Sequence, residues 1–255
     1  MKTLNPAQTT DELVSFIKTS FQRAGFSNAV IGLSGGLDSA VSCILAVRAL
    51  GAEHVYPILL PYGSLSTQET LDAMSVIEML GISPTHVARA DIKPILDPII
   101  GKEFGMDNIR SGNLMARARM MILFDHAKKR NALVVGTENK SEYLLGYFTR
   151  FGDEASDIEP LRSLYKTQVY DLAKYLGVPE AILTKKPTAG LWEGQTDEGE
   201  LGFTYKDADE ILFLSFDEKK SVDEIVAAGF SKETVDKVFA RVRANDFKHR
   251  LPILP

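Results

Sequence analysis

Eight consecutive residues, Gly32-Leu33-Ser34-Gly35-Gly36-Leu37-Asp38-Ser39, have the make-up of an anion cradle. Glycines let the backbone turn tightly and converge several N–H groups on one point, and the Ser34 and Ser39 hydroxyls add donors. The segment leaves an apolar run and enters a helical pattern, so the helix's positive end faces the same point. Pyrophosphate is the anion that such a cradle fits. Two common phosphate loops are excluded by counting. A Walker loop ends in Lys followed by Ser or Thr, where this chain has Asp38, and Gly32, Gly35 and Gly36 are wrongly spaced for G-x-G-x-x-G. An acid inside an anion site makes electrostatic sense when a cation separates it from the phosphates, so Asp38 is expected to ligate Mg²⁺. The plainer alternative is a Gly-rich turn in which Asp38 caps a helix.

The run Ser34 to Ser39 resembles the SGGxDS loop of the N-type ATP pyrophosphatases, which cleave ATP between its α and β phosphates and hold the leaving pyrophosphate there. Further segments follow in order: Asn113-Leu114-Met115-Ala116-Arg117-Ala118-Arg119-Met120, Gly136-Thr137-Glu138-Asn139-Lys140-Ser141-Glu142, Gly152 to Leu161, Lys186 to Trp192 and Asp197 to Gly202. Together they resemble the ammonia-dependent NAD synthetases over essentially the whole chain. The resemblance implies one synthetase domain across 1–255 and an adenine nucleotide alpha hydrolase-like fold, working as a homodimer with Mg²⁺. It also implies a two-step reaction. The nicotinate carboxylate of deamido-NAD attacks the α phosphate of ATP and pyrophosphate leaves; ammonia then displaces AMP. A carboxylate is a poor acyl donor because its leaving group would be oxide, and adenylation replaces that with a phosphate anion.

Carried over by motif, Asp38 and Glu142 would hold Mg²⁺, while Gly32 to Ser39, Thr137, Lys166 and Thr188 would contact ATP. Arg117, Arg150, Asp157, Phe247 and Lys248 match deamido-NAD positions, and Asp153 would border the ammonia site as a group that stabilises ammonium and accepts its proton. Each has a plainer reading: Glu142 as a solvated helix acid, Thr137 and Thr188 as cap or turn residues. Lys166 opens a helix, where its charge opposes the dipole unless an anion compensates, which favours a phosphate role. Arg117 and Arg119 are two apart and cannot share a helical face, so at most one looks into the site. The family pattern selects Arg117, leaving Arg119 as a structural or surface residue. The chain departs from the family at two places: Arg150 stands where Lys is commoner, and Phe247, before Lys248 and Pro252, replaces the His of a His-Lys pair.

The apolar periodicity supplies elements to position these groups. Residues 6–25 place Leu13, Phe16, Ile17 and Phe21 on one helical face; Ala29 to Leu33, Val55 to Leu60, His86 to Ala90 and 132–136 read as strands. Helices are expected at 39–50 with Gly51 as cap, from the Ser66-Thr67-Gln68-Glu69 capping-box spacing to Gly81, at 111–130 and at 166–176. Alternating strands and helices predict an α/β fold, a doubly wound, mostly parallel sheet with helices on both faces and chemistry at the carboxyl ends of the strands. Two irregular stretches, 146–165 and 185–204, interrupt the pattern, and a helical extension fills 205–248. The second stretch, with Trp192 and the acids between Glu193 and Glu200, resembles the family's mobile lid.

Composition narrows the class. The 255 residues carry 29 Lys+Arg against 34 Asp+Glu, a net charge of −5, with 45% hydrophobic residues. Net acidity argues against nucleic-acid or membrane-surface binding. Charges scattered through the first 25 residues leave no signal-peptide core, and the cytoplasm is the expected location. The single cysteine, Cys43, excludes a disulfide framework and a thiolate metal cluster. It also supplies no spare nucleophile for a glutaminase, so free ammonia is the expected nitrogen source. Two alternatives stay open: another N-type pyrophosphatase, GMP-forming or tRNA-modifying, and a nucleotide sensor without turnover. Thiolating relatives need cysteines that this chain lacks, and a sensor has no use for a pyrophosphate site.

Overall fold

The computed structural model describes residues 1, 4–102 and 105–250; Pro252 of the sequence reading lies outside them. The chain runs α1 (Pro6–Ala24), β1 (Asn28–Gly32), α2 (Leu37–Leu50), β2 (Val55–Leu59), α3 (Thr67–Met79), β3 (Ala88–Arg89), α4 (Lys93–Ile100), α5 (Asn108–Arg130) and β4 (Ala132–Val135). It continues through α6 (Lys140–Leu145), α7 (Lys166–Leu176), α8 (Glu180–Leu183), α9 (Asp197–Leu201), α10 (Tyr205–Leu212), α11 (Val222–Ala227) and α12 (Lys232–Asn245). The strands form one parallel sheet in the order β3-β2-β1-β4. A single parallel bridge from Val135 to Ile158 extends it beyond β4.

Ala29, Val30 and Ile31 are buried without interruption, as a strand covered on both faces requires. Ala29 and Ile31 pack with Leu13, Ile17 and Phe21 of α1, Val41 and Leu45 of α2, Val76 of α3 and Leu172 of α7. Val30 points the other way, joining Ile58, Val134 and Ala127 beneath α5. Helices therefore cover both faces of the sheet, as the alternation predicts. A further cluster, including Leu145, Tyr165, Ala208, Ile211, Leu212, Ile225 and Val238, ties the C-terminal helices to α6 and the start of α7.

Local signals explain most boundaries. Asn5 caps α1, with Pro6 at its first position, and Gly25 ends it at φ 76°. Gly51 closes α2 by donating to Val47 O at 2.8 Å. Four expectations need correction. Phe16 is 44% exposed, because the buried stripe follows Leu13, Ile17 and Phe21 and Phe16 sits one residue off it. The third strand shrinks to Ala88–Arg89, since Pro84–His86 forms a 3-10 turn. Ser66 makes no capping box: it ends a 3-10 turn at ψ 28°, and its Oγ instead accepts from Tyr62 N at 3.2 Å. The C-terminal extension is broken by a π segment at Phe213–Asp217 and by turns around α11. Among the described residues no helix is long and apolar enough to cross a membrane.

Candidate active site

The glycine loop sits at the carboxyl end of β1, the central strand that pairs with both β2 and β4. Gly35 adopts φ 78°, and a Cβ there would collide with the Glu69 carbonyl of α3, so the loop can lie against that helix only as glycine. Hydroxyls hold its shape. Ser34 N donates to Ser39 Oγ at 3.2 Å, Gly36 N donates to Ser34 Oγ at 3.2 Å, and Ser39 Oγ donates to Gly36 O at 3.0 Å.

Asp38, on the first turn of α2, meets two partners that sequence distance conceals. Lys166 Nζ lies 2.5 Å from Asp38 Oδ2 and 3.0 Å from Glu142 Oε1, so one ammonium bridges both acids. Asn139 donates from Nδ2 to Asp38 Oδ1 at 3.0 Å, and its own Oδ1 accepts from Glu142 N at 3.0 Å in a capping box that opens α6. The Tyr205 ring lies 5.4 Å from the Lys166 ammonium. Burial works against the charge on Lys166, yet Asp38, Glu142 and Asp197 together hold its pKa above the usual lysine value. Burial raises the Glu142 pKa, with Lys166 opposing.

Among the described residues no group of three or more His, Cys, Asp or Glu is arranged to hold a metal. Asp38 and Glu142 nevertheless meet around one cation, and two carboxylates are the protein share of a hard-cation site completed by phosphate oxygens and water. The donor set therefore fits such an ion where the Lys166 ammonium now stands.

The loop and this triad face a cavity of about 840 Å³ that also receives Thr137, Thr188, Asp153 and Lys248. Thr188 Oγ1 accepts from Gly190 N at 3.1 Å. Asp153 is exposed on the cavity wall; desolvation by the protein around it raises its pKa, against the Thr149 N–H that bonds it at 2.8 Å. Lys248 donates to Gly146 O and Phe148 O, both at 2.7 Å, and burial lowers its pKa.

Four sequence-selected residues lie off the cavity wall. Arg117 is exposed and donates to Arg150 O at 3.3 Å, and Arg150 in turn donates to Arg250 O at 3.0 Å. Asp157 accepts from Val134 N at 2.7 Å at the edge of β4, and Phe247 is 56% exposed. Of the two α5 arginines the one that reaches the cavity is Arg119, anchored through Nε to Leu60 O at 3.1 Å, with its pKa lowered by burial; Arg241 of α12 also lines the cavity. Spacing allows one arginine inward, and the tilt of α5 against the sheet decides which.

Other residues here carry no sequence signal beyond their segment. Tyr147 Oη donates to Glu200 at 3.0 Å and Asp197 at 3.2 Å, and Tyr205 Oη donates to Asp197 at 3.2 Å, so two tyrosines hold the start of α9 against the site. Beside the triad, Glu138 and Glu159 share Arg162, which lies 2.6 Å from the first and 3.8 Å from the second. Burial raises both acids, Glu138 to about 9 and Glu159 to about 7, because one guanidinium serves two carboxylates. Only the Asn139-x-x-Glu142 spacing, a capping-box pattern, announces any of these contacts in the sequence.

The chain is similar to known proteins in sequence and in fold. The NH(3)-dependent NAD(+) synthetase of Fusobacterium nucleatum is 45% identical over 251 residues, covering 98% of this chain and 96% of its own length. The solved NMN synthetase of Francisella tularensis superposes with a TM-score of 0.87 at 36% identity, over 99% of each chain. The NH3-dependent NAD synthetase of Campylobacter jejuni superposes with a TM-score of 0.83 at 31% identity, over 99% of this chain and 100% of its own. The family model described as NAD synthase matches residues 9–252, and the chain belongs to that family.

Proposed function

We propose that this chain is a ligase that converts deamido-NAD to NAD with ATP and ammonia through an adenylated intermediate, releasing AMP and pyrophosphate. The observation that carries this reading is the bridge of Lys166 between Asp38 and Glu142 at the mouth of the glycine loop. It sets a cation, two metal-binding acids and a pyrophosphate cradle around one point.

The loop N–H groups and the Ser34 and Ser39 hydroxyls exchange their internal bonds for those to the departing pyrophosphate. Lys166 turns its ammonium from the carboxylates to the phosphates, and Asp38 and Glu142 are then free to hold Mg²⁺. When bound, that ion offsets the negative charge gathered at phosphorus in the transition state. The nicotinate carboxylate oxygen attacks the α phosphorus as its bond to the bridging oxygen breaks. Thr137 and Thr188 border the ATP, and Arg119 brings a further positive charge to the cavity wall. In the second step the ammonia nitrogen forms the amide bond, AMP departs, and Asp153 accepts the released proton. Tyr147 and Tyr205, by holding Asp197, set the closed position of the lid that keeps water from the adenylate.

Arg117, Arg150, Asp157 and Phe247 lie outside this cavity, and we assign them to the far end of the dinucleotide, completed by a second copy of the chain in a homodimer. The whole span 1–255 serves as one synthetase domain. The name of the Francisella relative makes nicotinate mononucleotide the substrate to set beside deamido-NAD. The test supplies ATP and Mg²⁺ with either acceptor and either ammonium or glutamine, and measures NAD or NMN, AMP and pyrophosphate. NAD with equimolar AMP and pyrophosphate from ammonium is expected. Absence of NAD overturns the reading, faster amidation of the mononucleotide overturns the substrate, and glutamine matching ammonium overturns the donor.

A further inference from the structure

We infer that Asp209 is a positioning residue for phosphate transfer, fixing the two helix starts that carry Glu142 and Lys166. The inference rests on the function proposed above. Asp209 lies mid-helix in α10 and exposes none of its surface. Its Oδ1 accepts from Ser141 Oγ at 2.5 Å, and its Oδ2 accepts from Thr167 N and Thr167 Oγ1, both at 2.8 Å. Ser141 Oγ in turn accepts from Lys166 N at 2.8 Å. One carboxylate thus satisfies two orphan N–H donors at the start of α7, one directly and one through a hydroxyl.

The chain neighbours of these contacts are the residues of the site. Ser141 precedes Glu142, and Thr167 follows Lys166. A carboxylate among Ala208, Ile211 and Leu212 is costly to bury, and an apolar side chain of that volume would stabilise the cluster better. What the carboxylate supplies instead is three aimed hydrogen bonds and a negative charge at the positive end of α7, beneath the Lys166 ammonium. One turn earlier on the same face of α10, Tyr205 bonds Asp197 of the lid and lays its ring beside Lys166. Helix α10 is therefore the bracket that holds lid, metal acid and phosphate lysine in one frame.

The geometry leaves an amide no equivalent arrangement. Three donors converge on Asp209; an Asn oxygen can keep the two from Thr167, but its NH₂ must then face Ser141 Oγ, which can accept it beside the Lys166 N–H only by leaving its own buried hydroxyl proton without the carboxylate acceptor. The start of α7 then shifts, and the ammonium leaves one of its two carboxylates.

The test compares Asp209→Asn and Ser141→Ala with Ile225→Ala, a cavity in the same C-terminal cluster away from the site. For Asp209→Asn, kcat for NAD formation is expected to fall about 10- to 100-fold, the cost of a misplacement near 1 Å. The KM for ATP rises several-fold while that for deamido-NAD stays within about twofold. Amide hydrogen exchange quickens at residues 166 and 167 but not later in α7. Ser141→Ala shows the same pattern at smaller size, and Ile225→Ala lowers Tm with kcat unchanged. If Asp209→Asn does not fold, Ser141→Ala decides alone. The inference is overturned if the deciding variant keeps kcat and the ATP KM within twofold, or if its losses match those of Ile225→Ala at equal folded fraction. If wild-type protein forms no NAD, the functional reading fails by itself, and the exchange rates at 166 and 167 still decide whether Asp209 holds that helix start.

Discussion

Two buried charge clusters stand side by side beyond the carboxyl end of β4, and each sets two carboxylates around one cation. In one, Asp38 and Glu142 share the Lys166 ammonium; in the other, Glu138 and Glu159 share the Arg162 guanidinium. The charge count is the same and the surroundings differ. The lysine cluster opens on the cavity, and its cation is a point charge on a flexible stem that can turn away. The arginine cluster lies off the cavity wall and is pinned: the guanidinium lies over the Tyr143 ring at 4.3 Å, and Glu159 accepts from Glu138 N at 3.1 Å and packs so tightly on Gly136 that a Cβ there would collide with it. A replaceable cation makes a reaction site, and a fixed one makes the scaffold that aims Thr137, Asn139 and Glu142 into it.

Exchanging the cations breaks the comparison most sharply. Lys166→Met is expected to lower kcat for NAD formation by about 10²- to 10³-fold, as loss of one fixed charge at a transition state does. Its Tm should fall and then recover on adding Mg²⁺, measured without nucleotide, since a hard cation can enter between Asp38 and Glu142. Arg162→Met should cost about 3–5 kcal/mol in denaturant unfolding, the consequence of leaving buried carboxylates unpaired, and Mg²⁺ should restore none of it. Equal recovery in both variants would erase the distinction.

Titration sharpens it next. Burial raises Glu138 to about 9 and Glu159 to about 7, above the unfolded carboxyl value, so between those values the folded state holds protons that the unfolded state has released. Stability is then fully present below the unfolded pKa and is lost as pH rises through 7 to 9, by at most about 1.4 kcal/mol per pH unit for each retained proton. Glu138→Gln should flatten that slope in unfolding curves taken from pH 5 to 9. The smallest effect belongs to a residue outside both clusters: Phe247→Ala, at 56% exposure, should change stability by no more than about 0.5 kcal/mol.

The phosphate loop and the sheet are legible in the sequence because each is local. Glycine spacing and apolar runs need no tertiary information, whereas Glu142 stands out only through the resemblance of its segment. The choice between Arg117 and Arg119 is not legible, since it depends on how α5 rotates against β1 and β4. The capping-box letters at Ser66 and Glu69 mislead because the preceding 3-10 turn fixes the backbone of Ser66, whereas the same pattern at Asn139 and Glu142 closes. Asp209 and Arg162 reach Ser141 and Glu138 across 68 and 24 residues of chain, and Tyr205 reaches Asp197 across 8, so no short motif announces these contacts.

The placement of β1 between β2 and β4 also governs how the protein comes off the ribosome. Val30 and Ile31 find one neighbour in Tyr56 and Pro57 soon after synthesis, but their other neighbours, Val134 and Val135, are about a hundred residues away. At roughly 5–20 residues per second, one edge of an apolar strand waits on the order of 5–20 s for its partner. During that interval the strand that will carry the glycine loop is an open template for pairing with other chains, and a chaperone that covers strand edges would act on this segment first.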